Sequence, residues 1–374
     1  MTQPHLLVCI SSHGFGHLSQ TAPVLNALHD IRPDIRFTIR CTLDPERIRS
    51  RLNMPVMIVS ETDDIGMLMK DAVNVDVDAS LQALMQIHGQ WQSKVDHLAG
   101  WMSRGDFDAV LSNVGYLPLA AAQTIGLPNV GMSSLRWDAI LESLVSHAPD
   151  HGHGSNIRHI LQDMQTAYEA AKHFVRLTPC MALPAASNLV SVGPVCDPGV
   201  RRETELKRMI QRQYPDTEDC HLILVGMGGM PFACSLAHWP AQMLGKDVFY
   251  LCEETFANTH PHGVSVDATG MRYSDLIASV DLVLTKPGYG TFVEVAMAGT
   301  PVLYVERPHW AETAALTSWL ETMVTCRSIS RDTLNNGHAA HAASELLAMA
   351  RRPPSHATGN LEAAHLLSHI IKAP

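Results

Sequence analysis

The sequence has 374 residues, of which 46% are hydrophobic and 17% charged, with a formal net charge of −10. These values indicate a globular protein of about two domains and exclude an intrinsically disordered chain. The densest basic cluster, at 201–208, is interrupted by glutamates, which argues against nucleic acid as a partner. No apolar run approaches the roughly 20 residues of a membrane span. We expect a cytoplasmic protein, with peripheral membrane contact as the alternative.

Apolar runs of strand length alternate with helical patterns along the chain, which predicts an α/β protein with parallel sheets. In the first part the predicted strands are 5–10, 36–40, 56–59, 108–112, 129–132 and 189–192. The predicted helices there begin at about 19, with Pro23 in the first turn, and cover 78–103, 119–124 and 155–173. In the second part the predicted strands are 221–225, 248–251, 282–284 and 302–305, and a final helix covers 360–373 with Asn360 as N-cap.

The run 193–199 contains two prolines and two glycines, and the strand–helix alternation restarts after it. We therefore predict an N-terminal domain at 1–193, a linker at 194–203, a C-terminal domain at 204–358 and a closing helix at 359–374. The eight cysteines form no C-x-x-C pair, so we expect free thiols in a reducing compartment. The pair His151 and His153 has metal-like spacing but no companion ligands, and we expect no metal site.

The first glycine-rich turn, Ser11–His17, follows the first predicted strand. Loops at the carboxyl ends of parallel strands face the crevice in which doubly wound sheets bind ligands. His13 and His17 can therefore face a cleft, where an imidazole is the side chain best suited to act as a base near neutral pH. The alternative is that both histidines are loop residues that pair with backbone groups.

A second glycine-rich turn, at 226–231, follows the first strand of the second part. Free backbone N–H groups at a loop and a helix start can bind a diphosphate. The turn has neither the G-x-G-x-x-G pattern of NAD-binding proteins nor the P-loop pattern. The alternative is a purely structural turn.

The segment 284–294 repeats the order of strand, glycine turn and helix, and 305–312 brings polar residues to the next strand end. A carboxylate at Glu294 can accept hydrogen bonds from both hydroxyls of a ribose, or it can favour the helix N-terminus through the dipole. Glu306, Arg307, His309 and Glu312 suit sugar hydroxyls and phosphate.

The pattern 285–291, with Glu294, 298–301 and 307–312, resembles the donor half of GT-B glycosyltransferases. The nearest resemblance is to the glycosyltransferase-like proteins related to the N-terminal half of L-arabinokinase, and 13–17, 108–113 and 135–137 are similar to the same group. UDP-glycosyltransferases of small molecules and the GlcNAc transferases of lipid-linked peptidoglycan precursor are wider relatives. The resemblance implies two Rossmann-like doubly wound domains that face each other across a cleft. No sugar-kinase domain follows, so we expect no complete arabinokinase.

The resemblance also implies roles for the residues at matching positions. It implies that Glu294 holds the nucleotide ribose, that Glu312 contacts the donor sugar, and that His17, with His13 as rival, is the base or orients the acceptor. Its implied diphosphate site consists of Gly228, Gly229, Lys286, Gly288 and Gly290. We add Tyr289, Thr291 and Arg307 to the predicted donor-binding residues.

The predicted reaction is transfer of a sugar from a nucleoside diphosphate, most simply UDP, to an acceptor hydroxyl, with inversion and without metal. No cofactor is expected beside the nucleotide-sugar co-substrate, and the acceptor is a small or lipid-linked molecule. Two departures from the wider family, Asn113 in place of Asp and Gly-Met-Gly-Gly in place of Gly-Gly-Ser, keep open the alternative of a non-catalytic nucleotide-sugar-binding protein. A second alternative is a nucleotide-sugar 2-epimerase, which would have the same fold and share the donor site.

Overall fold

The computed structural model describes residues 3–147, 154–217, 219–228, 232 and 235–371. The N-terminal half contains one parallel sheet in the order β3-β2-β1-β4-β5-β6-β7. Its strands are β1 (His5–Ile10), β2 (Arg36–Arg40), β3 (Met57–Val59), β4 (Ala109–Asn113), β5 (Asn129–Ser133), β6 (His173–Leu177) and β7 (Leu189–Val192). The central strands β1, β4 and β5 are buried throughout, because helices cover both faces of the sheet.

The helices of this half connect consecutive parallel strands. They are α1 (Gly16–Ile31), α2 (Pro45–Arg49), α3 (Val77–His88), α4 (Trp91–Ser103), α5 (Tyr116–Thr124), α6 (Trp137–Ser146) and α7 (Gly154–Ala170). Helix α1 begins directly after the first glycine-rich turn, so its N-terminus lies at the carboxyl edge of the sheet, beside the end of β4.

The C-terminal half contains a second sheet in the order β11-β10-β8-β12-β13-β14, with a short strand β9 antiparallel to β10. The strands are β8 (Cys220–Gly226), β9 (Gln242–Met243), β10 (Lys246–Cys252), β11 (Gly263–Ser265), β12 (Leu282–Thr285), β13 (Val302–Val305) and β14 (Cys326–Ile329). The helices are α8 (Glu203–Gln213), α9 (Glu254–Ala257), α10 (Tyr273–Ser279), α11 (Tyr289–Ala298), α12 (Thr313–Met323), α13 (Arg331–Asn335), α14 (Ala339–Leu347) and α15 (Gly359–Ile370). Two doubly wound α/β sheets confirm the predicted fold class.

Several predicted elements differ from the observed ones. Helix α1 starts at Gly16, which puts Pro23 inside the helix rather than in its first turn. The predicted helix 78–103 is two helices, because the chain turns at Gly89 and Gln90. The predicted helix 155–173 ends at Ala170, since His173 already begins β6.

The last helix, α15, packs on α1 and β7 of the N-terminal half rather than on the second sheet. Its N-cap is Thr358, so the predicted N-cap at Asn360 is wrong. The Asn360 side chain instead pairs with the backbone of Cys196, accepting from its N–H at 3.2 Å and donating to its carbonyl at 2.8 Å. The chain therefore passes between the halves twice, and the two passages are bonded to each other.

A hydrophobic cluster runs without interruption from the first sheet through α1, α11 and α15 to the second sheet. The cysteines of the described residues are free thiols, namely Cys9, Cys41, Cys180, Cys196, Cys220, Cys252 and Cys326. His151 and His153 lie outside the described residues. Within the described part of the chain, no helix has the length and apolar character needed to cross a bilayer.

Candidate active site

The N-termini of α1 and α11 meet where the two halves of the chain face each other. A Cβ atom on Gly290 would lie 2.7 Å from Ser19 Oγ, so the glycine permits this close approach of the two helices. The arrangement brings His13 and His17 from the first half near Lys286, Arg307 and Glu312 from the second. Residues that are far apart in the sequence thus share one buried region.

His17 is buried at the second position of α1, and its Nδ1 lies 2.8 Å from Asn113 Oδ1 at the end of β4. The Thr21 hydroxyl donates to the His17 carbonyl, so its oxygen accepts from Asn113 Nδ2 at 3.0 Å. This fixes the amide of Asn113 and requires the proton of His17 on Nδ1. Burial lowers the pKa of His17. The ring therefore presents an unprotonated Nε2, as a general base must.

His13 has a different environment, because two tryptophans enclose its ring. It stacks on Trp310 with 5.8 Å between ring centroids and meets the edge of Trp137 at 5.2 Å. Burial, and to a smaller extent the neighbouring groups His17 and Arg307, lower the pKa of His13 to about 3. His13 is therefore neutral at physiological pH.

Arg307 is buried and Lys286 is partly buried, and neither forms an ion pair with a described residue, although the charge of Glu312 acts on both. Burial lowers the pKa of Lys286 to about 7 and that of Arg307 to about 10. The guanidinium of Arg307 lies 4.1 Å from the ring centre of Trp310, and its Nε has no hydrogen-bond partner in the described chain. Buried charges in proteins are normally paired, so two unpaired cations indicate an anion-binding site.

Gly228 lies directly at this site with a φ of +80°, a conformation that favours glycine. A Cβ atom added there would lie 3.4 Å from Lys286 Cε, so the lysine side chain passes over the turn. Gly288 is the N-cap of α11 and supplies no side-chain cap, which leaves the first N–H groups of that helix without a side-chain partner. Gly229 lies outside the described residues.

Other predicted donor-binding residues also contact protein groups. The Tyr289 hydroxyl accepts from the Val195 N–H at 3.0 Å and donates to the Thr178 carbonyl at 2.9 Å, so it ties α11 to the linker and the first half. Thr291 hydrogen-bonds the Tyr273 hydroxyl. A donor contact by Tyr289 would therefore use its backbone N–H, and the predicted roles of Tyr289 and Thr291 stay predictions.

Glu294 lies on α11 away from the two histidines. The charges that act on it are Arg51, Asp197 and Arg272, and its carboxylate makes no hydrogen bond to a described residue. Burial raises the pKa of Glu294 to about 7. A buried carboxylate without a partner can accept two hydroxyl donors, which is the geometry expected of a ribose-binding residue.

Glu312 crosses from the second half to the first. Its Oε1 accepts from Ser134 Oγ at 2.5 Å, and its Oε2 accepts from Trp310 Nε1 at 3.1 Å. Its neighbours in the sequence, Glu306 and His309, are exposed to solvent. Glu312 thus reaches the first half of the chain in the region of His17.

The segment 60–76, which we call the strap, connects β3 to α3 and lies over the site. Asp71 accepts from Arg331 Nη1 at 2.8 Å, and Ala72 and Val73 pack in the core of the C-terminal half. Gly66 lies against His13, since a Cβ atom there would be 3.0 Å from that ring. The strap is therefore part of the first half in sequence but binds to the second half through this ion pair and this apolar packing.

Sequence reasoning missed Asp64, Trp137, Trp310, Gln20 and Ser134. The Asp64 carboxylate accepts from Ser11 Oγ at 2.8 Å and from Trp137 Nε1 at 2.9 Å, and burial raises its pKa to about 6. Asp64 follows β3, so its position at a strand end was a usable signal. No sequence signal identifies Ser134, which acts only through contacts made in the folded chain.

Comparison with solved structures identifies the fold of this chain. The glycotransferase of kitacinnamycin matches with a TM-score of 0.65 and 14% identity, over 99% of this chain and 100% of the other. MurG from Acinetobacter baumannii matches with a TM-score of 0.53 and 15% identity, over 98% and 99%. UGT89C1 of Arabidopsis thaliana, complexed with UDP, gives 0.57 and 14%, over 98% and 99%. The chain has the GT-B fold.

The sequence also resembles one curated protein. L-arabinokinase of Arabidopsis thaliana is 26% identical over 327 residues, which cover 83% of this chain. The matched region is 29% of that protein, so this chain spans less than a third of its length. No family model matches the sequence. In the GT-B frame, the candidate site lies where the two sheets face each other across the cleft.

Proposed function

We propose that this protein is a glycosyltransferase that moves a sugar from a nucleoside diphosphate, UDP in the simplest case, to an acceptor hydroxyl. The observation that carries the proposal is a pair of cations without ion-pair partners among the described residues, the partly buried Lys286 and the buried Arg307, beside Gly228 and the N-terminus of α11. A diphosphate supplies the charge that these groups lack, and helix N–H groups favour phosphate oxygens. UDP as the nucleotide is supported by the UDP complex of the similar UGT89C1.

In the proposed reaction, His17 Nε2 takes the proton of the acceptor hydroxyl as that oxygen attacks the anomeric carbon. The bond from this carbon to the diphosphate oxygen breaks on the opposite face, so the configuration inverts. Lys286, Arg307 and the N–H groups of α11 stabilise the negative charge that develops on the leaving diphosphate. The proton resides on Nε2 until it is lost to solvent, and the nucleoside diphosphate departs.

Calorimetric titration with UDP, dTDP, GDP and ADP tests the donor site. We expect tight binding of one nucleotide, weakened about tenfold or more by Glu294→Ala and by Lys286→Ala, since each change removes a charged group that faces the ligand. Lys246→Ala is the matched control, because Lys246 is an exposed lysine of the same half that pairs with Asp219. Failure of all four nucleotides to bind would contradict the proposal.

Turnover assays separate transfer from the two alternative activities. With the nucleotide sugar identified by the binding screen, we expect product only when an acceptor alcohol is present, and equal rates with and without EDTA. Conversion of the nucleotide sugar in the absence of an acceptor would instead indicate an epimerase. Binding without turnover, unaffected by His17→Ala, would indicate a non-catalytic binding protein.

A further inference from the structure

A buried chain of hydrogen bonds runs from His17 in the first half to Glu312 in the second. His17 Nδ1 donates to Asn113 Oδ1 at 2.8 Å, and Asn113 Nδ2 donates to Gln20 Oε1 at 3.1 Å. Gln20 Nε2 donates to Ser134 Oγ at 2.7 Å, and Ser134 Oγ donates to Glu312 Oε1 at 2.5 Å. All five side chains are buried, with exposed fractions of 4% or less.

Every bond of this chain points the same way, toward Glu312. A carboxylate only accepts, so the hydroxyl hydrogen of Ser134 goes to Glu312 and its oxygen accepts from Gln20. Gln20 therefore turns its NH₂ to Ser134 and its Oε1 to Asn113. Hydrogen bonds aligned in one direction polarise each other, and a bond to an ionised acceptor is stronger than a neutral one.

We propose that Gln20 and Ser134 are positioning residues that transmit the electrostatic effect of the Glu312 carboxylate to His17. This inference rests on the proposed function, in which His17 becomes an imidazolium during the reaction. The relay then stabilises that imidazolium by a charge from the other half of the molecule. No proton travels along the relay, since the amides of Asn113 and Gln20 only hold their hydrogens between fixed partners.

The charged groups around His17 agree with this assignment. Glu312 raises the pKa of His17, opposing the effect of burial. The nearest other titratable ring, His13, lies 6.5 Å away between centroids, and its own surroundings keep it neutral. Lys286 and Arg307 act on His13. Because Ser134 and Glu312 belong to different halves, the relay is complete only where the halves are in contact.

Nitrogen NMR of the full chain labelled with ¹⁵N-histidine measures the proposal directly. The His17 signals are assigned by their loss in His17→Gln, and their chemical shifts report the tautomer and the titration of the ring. The test variants are Ser134→Ala, which breaks the relay, and Glu312→Gln, which keeps an acceptor for Ser134 and removes the charge. Glu312→Gln also guards against misfolding, since it preserves side-chain volume.

Ser133→Ala is the matched control. Ser133 is the adjacent serine, is equally buried, and donates to the same Gln20 Oε1 at 3.3 Å, but it does not contact Glu312. If Ser133→Ala moved the titration of His17 as far as Ser134→Ala does, the effect would come from loosening Gln20, and the proposal would be wrong.

We expect wild-type His17 to carry its proton on Nδ1, and its pKa to fall by about half a unit or more in each test variant. In the double variant the pKa of His17 should fall no further than in either single variant, because both changes break the same relay.

Where turnover is measurable, the acid limb of the kcat/KM profile should move to lower pH and the plateau value of kcat/KM should fall. Unchanged titration in Ser134→Ala, or additive shifts, would overturn the relay. Loss of nucleotide binding in calorimetry would contradict the proposed function but not the relay, because the NMR titration needs no substrate.

Discussion

His13 and His17 lie on the same loop, yet their partners give them different chemistry. His17 has a fixed tautomer because Asn113 accepts from its Nδ1, and its Nε2 is free to take a proton. His13 lies between two tryptophans, and its Nε2 has no partner among the described residues. The sequence left the choice between them open. We therefore propose His17 as the base and His13 as part of the aromatic wall.

We therefore predict that His17→Ala lowers kcat by about 10²–10⁴-fold, the usual contribution of a general base. Nucleotide affinity should stay within about twofold, since His17 does not face the cations. His13→Ala should mainly raise KM, because it removes packing against Trp310. Steady-state kinetics and calorimetry on both variants check this, and a larger loss of kcat in His13→Ala would reverse the assignment.

Lys286 and Glu294 both have a pKa near 7, which makes nucleotide binding sensitive to pH in opposite ways. A bound diphosphate favours charged Lys286 and raises its pKa, so at about pH 8 binding takes up protons. Ribose hydroxyls that donate to Glu294 favour its ionised form, so at about pH 6 binding releases protons. Affinity should therefore fall on both sides of neutrality.

Calorimetry in buffers of different ionisation enthalpy counts these protons. The uptake near pH 8 should vanish in Lys286→Met, and Glu294→Gln should reduce the release near pH 6 to the part contributed by the nucleotide itself. Proton counts that do not change in either variant would show that neither residue faces the ligand.

Some residues of the candidate site could be predicted from the sequence and others could not. Lys286, Arg307 and Glu312 follow strand ends and carry charge, so their convergence was predictable from topology. Gln20 and Ser134 lie within a helix and beside a strand end with nothing unusual in their local sequence. Both residues act through hydrogen bonds to partners that are distant in the sequence, and no local sequence pattern identifies such partners.

At the scale of the elements, helices α1 and α11 approach each other closely where Gly290 faces Ser19. We predict that Gly290→Ala lowers kcat/KM about tenfold and destabilises the fold by about 1–3 kcal/mol, because the added methyl forces the two N-termini apart. The double variant with Ser19→Ala should recover most of the loss, since it removes the atom at 2.7 Å. Kinetics and thermal unfolding test both, and a double variant as poor as the single one would disprove steric separation as the cause.

The central strands were predictable because they are continuous apolar runs buried on both faces. The strands β6, β11 and β14 were missed for the opposite reason, as they lie toward the sheet edges and include polar or partly exposed residues. The break between α3 and α4 was missed because Gly89 alone does not stop a helical pattern. Edges and helix boundaries thus depend on the surrounding fold more than the core strands do.

At the scale of the whole molecule, the site needs both halves of the chain. The first half supplies His17, and the second supplies Lys286, Arg307 and Glu312. The strap adds a further link, because Asp71 of the first half pairs with Arg331 of the second. We therefore expect substrate entry to depend on how firmly the strap is held.

We predict that Asp71→Ala speeds nucleotide release about two- to fivefold, in line with the modest strength of a partly exposed ion pair. Hydrogen exchange in a peptide covering the strap should rise, while exchange in α6 stays unchanged. Asp34→Ala is the control, since it removes a comparable pair with Arg32 away from the strap. Equal release rates in the two variants would mean that the Asp71 pair does not hold the strap.

The two passages of the chain between the halves lie side by side. The Gly359 N–H donates to the Pro194 carbonyl at 3.0 Å, Glu362 accepts from the Gly193 N–H at 2.7 Å, and Asn360 pairs with Cys196. Two chain segments bonded side by side bend together, so we expect a motion of one half relative to the other to turn about this point rather than slide past it. We expect any opening of the cleft to be a rotation about these paired segments, which would return Lys286 and Arg307 to the same position each time the cleft closes.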